Sequence, residues 1–339
     1  MLESILSPGT RRRQYRPFGA AMHVRGAKRA AVALPLAVAA LAIVPLASAA
    51  TPASAKIAIE LQHVNGPVRA VVSDATWGVS GTVAHFGAGQ HATITVSLNG
   101  RAVAAAVAPI ARRGAHGVFH ASFHIGGVGR LTVTARTVRP RRASTAEGIW
   151  LVAPTVNPGE RSVSVRILQH ELAAKHYVVG APGVDDAATE LAVLAFRKMA
   201  NMDRTTVADA TVFRALAAGE GSFIVRFPEH GRHVEGDLTH QVLALIGSAG
   251  NVESLYVVSS GKPSTPTALG SFTVYMRTPG INSEGMVDSS YFNGGDAIHG
   301  YAEVPTYAAS HGCLRVPVPA APTIYAWVQI GTPVDVYYR

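Results

Sequence analysis

The alternation of apolar and polar positions in residues 56–138 is that of short β-strands. In residues 91–98 apolar and polar side chains alternate, and Asn99-Gly100 then supplies a strong hairpin turn signal. The same period of two recurs in two later runs of apolar positions: Phe119, Ala121, Phe123 and Ile125, and Leu131, Val133 and Ala135. Regular short strands separated by turn residues predict an immunoglobulin-like β-sandwich over residues 56–138, a spacer or adhesion module.

The pattern changes twice between residues 139 and 221. Residues 139–160 combine Pro140 with three early arginines and further prolines, which predicts an extended linker. Residues 161–221 then follow helical spacing and predict a small module of three helices. The second helix is expected to begin at an Asp185 or Asp186 N-cap, to end near Met199, and to bury apolar positions that share one face: Ala187, Leu191, Leu194 and Ala195. The third is expected to begin near Asp209 and to stop at Gly219.

Strand patterns return in residues 223–339. Loops rich in glycine, proline and threonine separate these strands, and a short helix is expected over residues 319–329 before a closing strand. The chain is therefore predicted to be a mainly β, multidomain protein. Its order is a β-sandwich, a three-helix module and a β-rich C-terminal domain.

Residues 1–49 have the pattern of a targeting segment. Basic residues from Arg25 to Arg29 precede an apolar run that ends at Ala47-Ser48-Ala49, as in a cleavable secretory signal peptide. An uncleaved membrane anchor is the alternative, because the run is just long enough to cross a bilayer. In either case the body of the protein is expected outside the cytoplasm, in the cell wall or periplasm, and any membrane contact is expected through this segment alone.

Net charge adds little to this picture. The formal charge is +9, but seven of the 30 basic residues lie in residues 1–49, against one acidic residue. The remaining chain shows no stripe of basic residues interleaved with aromatic ones, so no nucleic-acid partner is expected. A monomer is predicted.

Cys313 is the single cysteine in 339 residues. It stands in the run Ser310-His311-Gly312-Cys313, with His299 upstream. An exported chain usually pairs its cysteines, so an unpaired one indicates a reactive thiol or a link to another chain. A thiol nucleophile needs a base and N–H groups that stabilise an oxyanion. His299 and His311 are both candidate bases, and spacing does not choose between them.

Three other roles for Cys313 were considered. A buried cysteine can act as a small hydrophobe, but its neighbours here are not apolar. A metal site formed with His299 and His311 lacks a fourth ligand, so no metal is predicted. The third role is an intermolecular disulfide between Cys313 and another chain.

The C-terminal motif resembles the catalytic signature of the L,D-transpeptidases, which cross-link peptidoglycan. The similar stretches are IHG at 298–300 and SHGCLR at 310–315, supported by HVEGDLTHQVLAL, SSGKPSTPTALGSFTV and FNGGDAIHG. The three-helix segment is similar to a peptidoglycan-binding module, although a helical connector without a ligand fits its sequence equally well.

The resemblance implies a role for each matching residue. Cys313 is the acylated nucleophile, and His299 activates it while oriented by the carbonyl of Gly300. The other implied roles are support of the site by His311 and Ser310, oxyanion binding by the N–H groups of Gly312 and Cys313, and substrate binding by Arg315, Ser310, Tyr291 and Tyr301. Arg315 stands where many members carry asparagine, and the spacing from His299 to Cys313 is short for the family.

The implied reaction forms a 3→3 peptidoglycan cross-link through a cysteine thioester, with release of D-alanine and without a cofactor. The donor is a tetrapeptide stem and the acceptor is the side-chain amine of a diamino acid in a second stem. The alternatives are an L,D-carboxypeptidase that hydrolyses the same bond and a non-catalytic wall-binding protein.

Overall fold

The computed structural model describes residues 57–61, 69–84, 86–138 and 141–339. The predicted leader (1–49) lies outside them, as do residues 56, 62–68 and 85 of the predicted sandwich and residues 139–140 of the predicted linker. In the part of the chain that is described, no helix is both long and apolar enough to cross a bilayer.

Nine strands form two sheets in the N-terminal part of the described chain. They are β1 (Ile57–Leu61), β2 (Ala70–Val72), β3 (Thr76–Val83), β4 (His91–Leu98), β5 (Arg101–Pro109), β6 (Ala111–Arg113), β7 (His116–His124), β8 (Gly129–Val138) and β9 (Arg141–Val152). One sheet has the order β1-β3-β7-β6 and the other the order β2-β9-β8-β4-β5. Both contribute to one apolar core, in which the residues predicted from alternation are buried, among them Ile94, Phe123 and Val133. Asn99 and Gly100, with φ values of 52° and 82°, form the predicted turn between β4 and β5.

The structure corrects the predicted linker at 139–160. Residues 141–152 form β9, which pairs antiparallel with β8 over almost its whole length. Ala146, Ile149 and Leu151 of β9 are buried in the N-terminal core. The polar start of this segment made it resemble a linker, and Arg141 is indeed exposed at the beginning of the strand.

Three helices follow: α1 (Val163–Ala174), α2 (Ala187–Met199) and α3 (Ala210–Ala217). The predicted caps are present, since Asp186 accepts a hydrogen bond from the Thr189 N–H and Asp209 accepts one from the Val212 N–H. The predicted buried face of α2 is partly wrong: Ala187 is exposed and Leu191 half-buried, whereas every residue from 192 to 199 is buried. The reason is that the second half of α2 lies in a core shared with α1, α3 and the next sheet.

The C-terminal part contains the remaining strands and one helix. They are β10 (His233–Asp237), β11 (Val242–Ile246), β12 (Val252–Val257), β13 (Gly270–Thr273), β14 (Met276–Ile281), β15 (Val287–Asn293), β16 (Asp296–Tyr301), β17 (Leu314–Pro317), α4 (Ala321–Trp327) and β18 (Pro333–Tyr337). The strands form two sheets, with the orders β12-β11-β10-β18-β13 and β14-β15-β16-β17. The two sheets and α4 enclose a common apolar core.

Mainly β architecture is therefore confirmed. The helices are not isolated from the C-terminal sheets, because residues of β11 and β12 such as Val242 and Leu255 belong to the same apolar core as Phe196 of α2. This shared core fixes α2 against the sheet of β11 and β12, which is packed through a second apolar core against the sheet of β16 and β17.

Candidate active site

Strands β16 and β17 bring His299 and Cys313 to one face of their sheet. The two strands pair in parallel, with Ile298 opposite Leu314 and His299 opposite Arg315. Ile298 and Leu314 are buried in the core between the sheets. Because side chains alternate along a strand, His299, Arg315 and Cys313, which directly precedes β17, lie on the opposite face.

Cys313 is a free, half-buried thiol. Its Sγ–H donates to the carbonyl of Gly295 at 3.6 Å. Burial raises the pKa of Cys313, a hydrogen bond from the Ala297 N–H lowers it, the Asp296 carboxylate raises it and the Arg315 guanidinium lowers it. The net direction is upward, so the thiol is protonated at neutral pH.

His299 is 2% exposed. Its Nδ1–H donates to the carbonyl of Gly300 at 2.9 Å. Burial lowers the pKa of His299, the bond to Gly300 opposes this effect, and the nearby Arg315 adds to it. A neutral imidazole that carries its proton on Nδ1 has a lone pair on Nε2, the form required of a general base.

These two pKa shifts together describe the resting state. The cysteine pKa is raised and the histidine pKa is lowered, so the pair rests as thiol and neutral imidazole and not as an ion pair. A thiol in this state can act as a nucleophile only if it loses its proton, which a neutral imidazole can accept.

Gly312 adopts a conformation that a side chain would prevent. Its φ is 130°, and a Cβ at this position would lie 2.0 Å from Oδ1 of Asp296. The Gly312 N–H donates to Ser310 Oγ at 3.2 Å, and Ser310 Oγ–H donates to the Cys313 carbonyl at 2.6 Å. Ser310 is completely buried and supports the turn. One of the two predicted oxyanion donors, the Gly312 N–H, is thus engaged with Ser310 in this structure.

His311 lies away from this arrangement. It is exposed, and its Nε2 accepts a hydrogen bond from Lys262 Nζ at 3.1 Å. A ring nitrogen that accepts from an ammonium group is not available as a base for the thiol.

Two of the predicted substrate-binding residues contact each other. The guanidinium of Arg315 lies over the Tyr301 ring, 4.1 Å from its centroid, and the Tyr301 ring meets the His299 ring edge-on at 5.6 Å. Tyr291 lies on β15 opposite Ala297 and so shares the face of His299. Cation–π stacking on Tyr301 thus fixes Arg315 close to His299.

The loop before β13 holds the cysteine segment in place. Ser259 pairs with Arg315 through two backbone hydrogen bonds, and the Lys262 N–H donates to the Ser310 carbonyl at 2.9 Å. A Cβ on Gly261 would lie 2.2 Å from the Thr265 carbonyl, so only glycine allows the loop to fold this tightly. The loop therefore supports the segment that carries Cys313.

Sequence reasoning missed Asp296 and Lys262. Asp296 packs against Gly312 and raises the pKa of Cys313 after the effects of burial and the Ala297 N–H. Lys262 reaches His311 across 49 positions of the chain. The Gly294-Gly295 turn, after which Asp296 begins the strand of His299, was the one available signal for Asp296. Within the described residues, no three histidine, cysteine or carboxylate side chains are grouped to hold a metal ion.

Residues 231–336 match the L,D-transpeptidase catalytic domain known as YkuD. No protein of curated function is significantly similar to this chain.

Several solved structures are similar. The L,D-transpeptidase of Xylanimonas cellulosilytica (residues 123–326 of that protein) is 33% identical, with a TM-score of 0.51, and the match covers 55% of this chain and 98% of that one. An L,D-transpeptidase from Stackebrandtia nassauensis is 20% identical, with a TM-score of 0.35, over 54% of this chain and 95% of that one. An L,D-transpeptidase from Mycobacterium smegmatis is 12% identical, with a TM-score of 0.28, over 84% of this chain and 99% of that one.

Proposed function

Because the chain belongs to the L,D-transpeptidase family, whose members act on peptidoglycan stem peptides, we propose that it forms 3→3 cross-links through a thioester on Cys313. The observation that carries the proposal is the common face of His299 and Cys313 on two parallel strands. The hydrogen bond from His299 Nδ1 to Gly300 leaves Nε2 as the basic nitrogen of the imidazole.

The reaction has two acyl-transfer steps. The sulfur of Cys313 attacks the carbonyl between the diamino acid at position three of a tetrapeptide and its terminal D-alanine, and its proton passes to His299 Nε2. The C–N bond breaks, D-alanine leaves as an amine with that proton, and a thioester remains. The amine of a second stem then attacks the thioester carbonyl, and the sulfur leaves and recovers a proton. Two successive transfers replace one difficult step.

Several groups support this chemistry. The Cys313 N–H, at the turn fixed by Gly312 and Ser310, is the proposed oxyanion donor. Arg315, stacked on Tyr301, is the proposed partner of a stem carboxylate, because its planar fork of donors suits two carboxylate oxygens. His311 is proposed to act through its contact with Lys262 and not as the base.

The remaining parts of the chain are proposed to serve delivery and placement. The basic and apolar pattern of residues 1–49 supports export, and therefore action in the cell wall or periplasm. Two sheets around one core support the assignment of the N-terminal part as an immunoglobulin-like spacer. The core that the helices share with β11 and β12 favours a connector over an independent wall-binding module at 161–221.

Acylation by a carbapenem tests the use of Cys313. Mass spectrometry of the folded, reduced protein is expected to show one adduct, located on Cys313 and absent from Cys313→Ala. A folded wild-type protein that forms no adduct contradicts the proposal and favours a non-catalytic wall protein.

A natural donor tests the type of product. Incubation with a disaccharide-tetrapeptide is expected to give a cross-linked dimer and free D-alanine. Tripeptide and D-alanine without dimer would identify a carboxypeptidase, because water would then have taken the acyl group.

A further inference from the structure

Arg204 joins the helical segment to the C-terminal domain. It lies between α2 and α3, and its two terminal nitrogens donate to two different carbonyls of that domain. Nη1 donates to Thr306 at 2.8 Å and Nη2 donates to Thr239 at 2.9 Å. A guanidinium group is always protonated at physiological pH, and its planar fork can hold two acceptors in a fixed relative position.

The first acceptor, the carbonyl of Thr239, lies in a rigid turn. Thr239 lies in the tight turn between β10 and β11, where the N–H groups of Thr239 and His240 both donate to Asp237 Oδ1, at 3.0 and 3.1 Å. Asp237 is completely buried. The turn therefore offers Arg204 a rigid anchor.

The second acceptor, the carbonyl of Thr306, lies in a loop in which no residue is buried. Residues 302–309 connect the strand of His299 to Ser310, and none of them is buried. Polar contacts hold this loop: Ser259 Oγ–H donates to the Tyr307 carbonyl at 2.6 Å, and the Ala309 N–H donates to Ser260 at 2.8 Å. A loop with no buried residue opens easily, so each such hydrogen bond matters for its position.

A second basic side chain of the same helical segment supports the contact at Ala309. Lys198 of α2 is 2% exposed, and its Nζ donates to the carbonyls of Gln241, at 3.0 Å, and Val258, at 3.3 Å. The side-chain oxygen of Gln241 accepts the Ser260 N–H at 2.9 Å. Ser260 is the residue whose carbonyl receives the Ala309 N–H. The helical segment thus supports the loop directly at Thr306 and, through Gln241 and Ser260, at Ala309.

We propose that Arg204 is a positioning residue for acyl transfer, which ties the helical segment to loop 302–309 and so holds the Ser310–Cys313 turn ready for attack. The inference rests on the proposed function, because acyl transfer at Cys313 is the step it serves. A loop displaced at Thr306 would carry Ala309 with it, three residues on, and would move the turn that supplies the oxyanion donor. Misplacement of reacting groups by about 1 Å can slow a reaction by about 100-fold.

The test compares Arg204→Ala with Arg214→Ala, a matched change at an exposed arginine of α3. Three quantities are measured: amide hydrogen exchange of residues 302–309, the rate of carbapenem acylation, and the rate of Cys313 alkylation by iodoacetamide. In Arg204→Ala, loop exchange is expected to accelerate and acylation to fall by about tenfold or more. Alkylation is expected to stay near the wild-type rate, because it needs the thiol but not the turn. Arg214→Ala is expected to match the wild type in all three.

Arg204→Lys, which keeps one charged donor, is expected to restore part of the acylation rate. If Arg204→Ala does not fold, Arg204→Gln takes its place with one neutral donor. Unchanged loop exchange, unchanged acylation, or an equal fall in acylation and alkylation would each overturn the proposal. If the wild type itself is not acylated, the proposed function fails. Hydrogen exchange still tests whether Arg204 holds loop 302–309 in place. Faster exchange in Arg204→Ala supports this role, and unchanged exchange refutes it.

Discussion

Asp296 lies so close to Gly312 that its carboxylate occupies the space of a side chain at residue 312. This contact affects two residues of the site, the conformation of Gly312 and the electrostatic environment of Cys313. Gly312 is confined to a conformation with positive φ, and the negative charge of Asp296 stands beside the thiol of Cys313. The same relationship therefore affects both the shape of the turn and the pKa of the Cys313 thiol.

Replacing Asp296 by asparagine is expected to lower the pKa of Cys313. The carboxylate raises this pKa, so its removal increases the thiolate fraction at any pH below the wild-type pKa. The wild-type rate of iodoacetamide alkylation is expected to rise with pH to a midpoint above the usual thiol pKa of about 8.5, and the midpoint for Asp296→Asn is expected at lower pH.

Glu284→Gln is the control for this experiment, because Glu284 is an exposed acid of the same domain. It removes the same charge at a distance from Cys313 and is expected to leave the midpoint in place. Equal shifts in both variants would mean that overall charge, and not the neighbouring carboxylate, sets the thiol pKa.

Gly312→Ala is expected to lose acylation and to destabilise the fold by about 1–3 kcal/mol, because the new Cβ meets both an unfavourable φ and the Asp296 carboxylate. Gly331→Ala separates the two effects: Gly331 has a φ of 89° but no atom within 4 Å of its Cβ position. Thermal unfolding and carbapenem acylation measure the outcome. We expect Gly331→Ala to destabilise modestly and to acylate normally; full acylation of Gly312→Ala would show that the turn tolerates a side chain.

His299→Ala is expected to slow acylation by about 100-fold or more, since general-base assistance contributes about 10²–10⁴-fold. His311→Ala is expected to cost less than about tenfold, because its Nε2 accepts from Lys262 and does not face the thiol as a base. Single-turnover acylation by a carbapenem gives both rates. Loss of acylation in His311→Ala alone would reverse the assignment of the base.

Local patterns in the sequence predicted the elements whose signals are local. Alternation in residues 91–98 predicted β4, and Asn99-Gly100 predicted its hairpin turn. The Asp185-Asp186 pair and Asp209 predicted the starts of α2 and α3, because a capping carboxylate acts within three residues of its own position; the structure selects Asp186 as the cap of α2.

The sequence was less informative where a segment depends on distant partners. β9 has a polar first half and became a strand because β8 pairs with it, which no pattern within residues 139–160 reveals. The burial of α2 over residues 192–199 likewise depends on a sheet formed some 50 positions later.

In the site too, residues with a local sequence signal were predicted and residues with only distant contacts were not. The run from Ser310 to Cys313 and His299 were identified from their spacing and resemblance, and parallel strands place Cys313 and His299 on one face. Lys262, Asp296 and Arg204 were missed because their contacts join residues that are close only in the fold: Arg204 and Thr306, for example, are 102 positions apart.

Lys198 makes stability depend on pH in a defined direction. Burial lowers the pKa of Lys198 to about 7, and the charge of Arg204 adds to this effect. In the unfolded chain the lysine pKa is about 10.4. Between these values the unfolded state binds more protons than the folded state, so the free energy of unfolding rises as pH increases from about 7 to about 10. Below pH 7 both states are protonated and the cost of burying the charge is fully present.

Comparison with Lys198→Met isolates this contribution from that of other titrating groups. Methionine keeps much of the side-chain volume but leaves the Gln241 and Val258 carbonyls without their donor, a loss of about 1–3 kcal/mol. Urea unfolding at several pH values is expected to show that the wild type gains stability relative to Lys198→Met as pH rises from 7 to 10. A constant difference across that range would mean that Lys198 keeps its ordinary pKa in the folded protein, and a decreasing one would mean that its charged form is stabilised there.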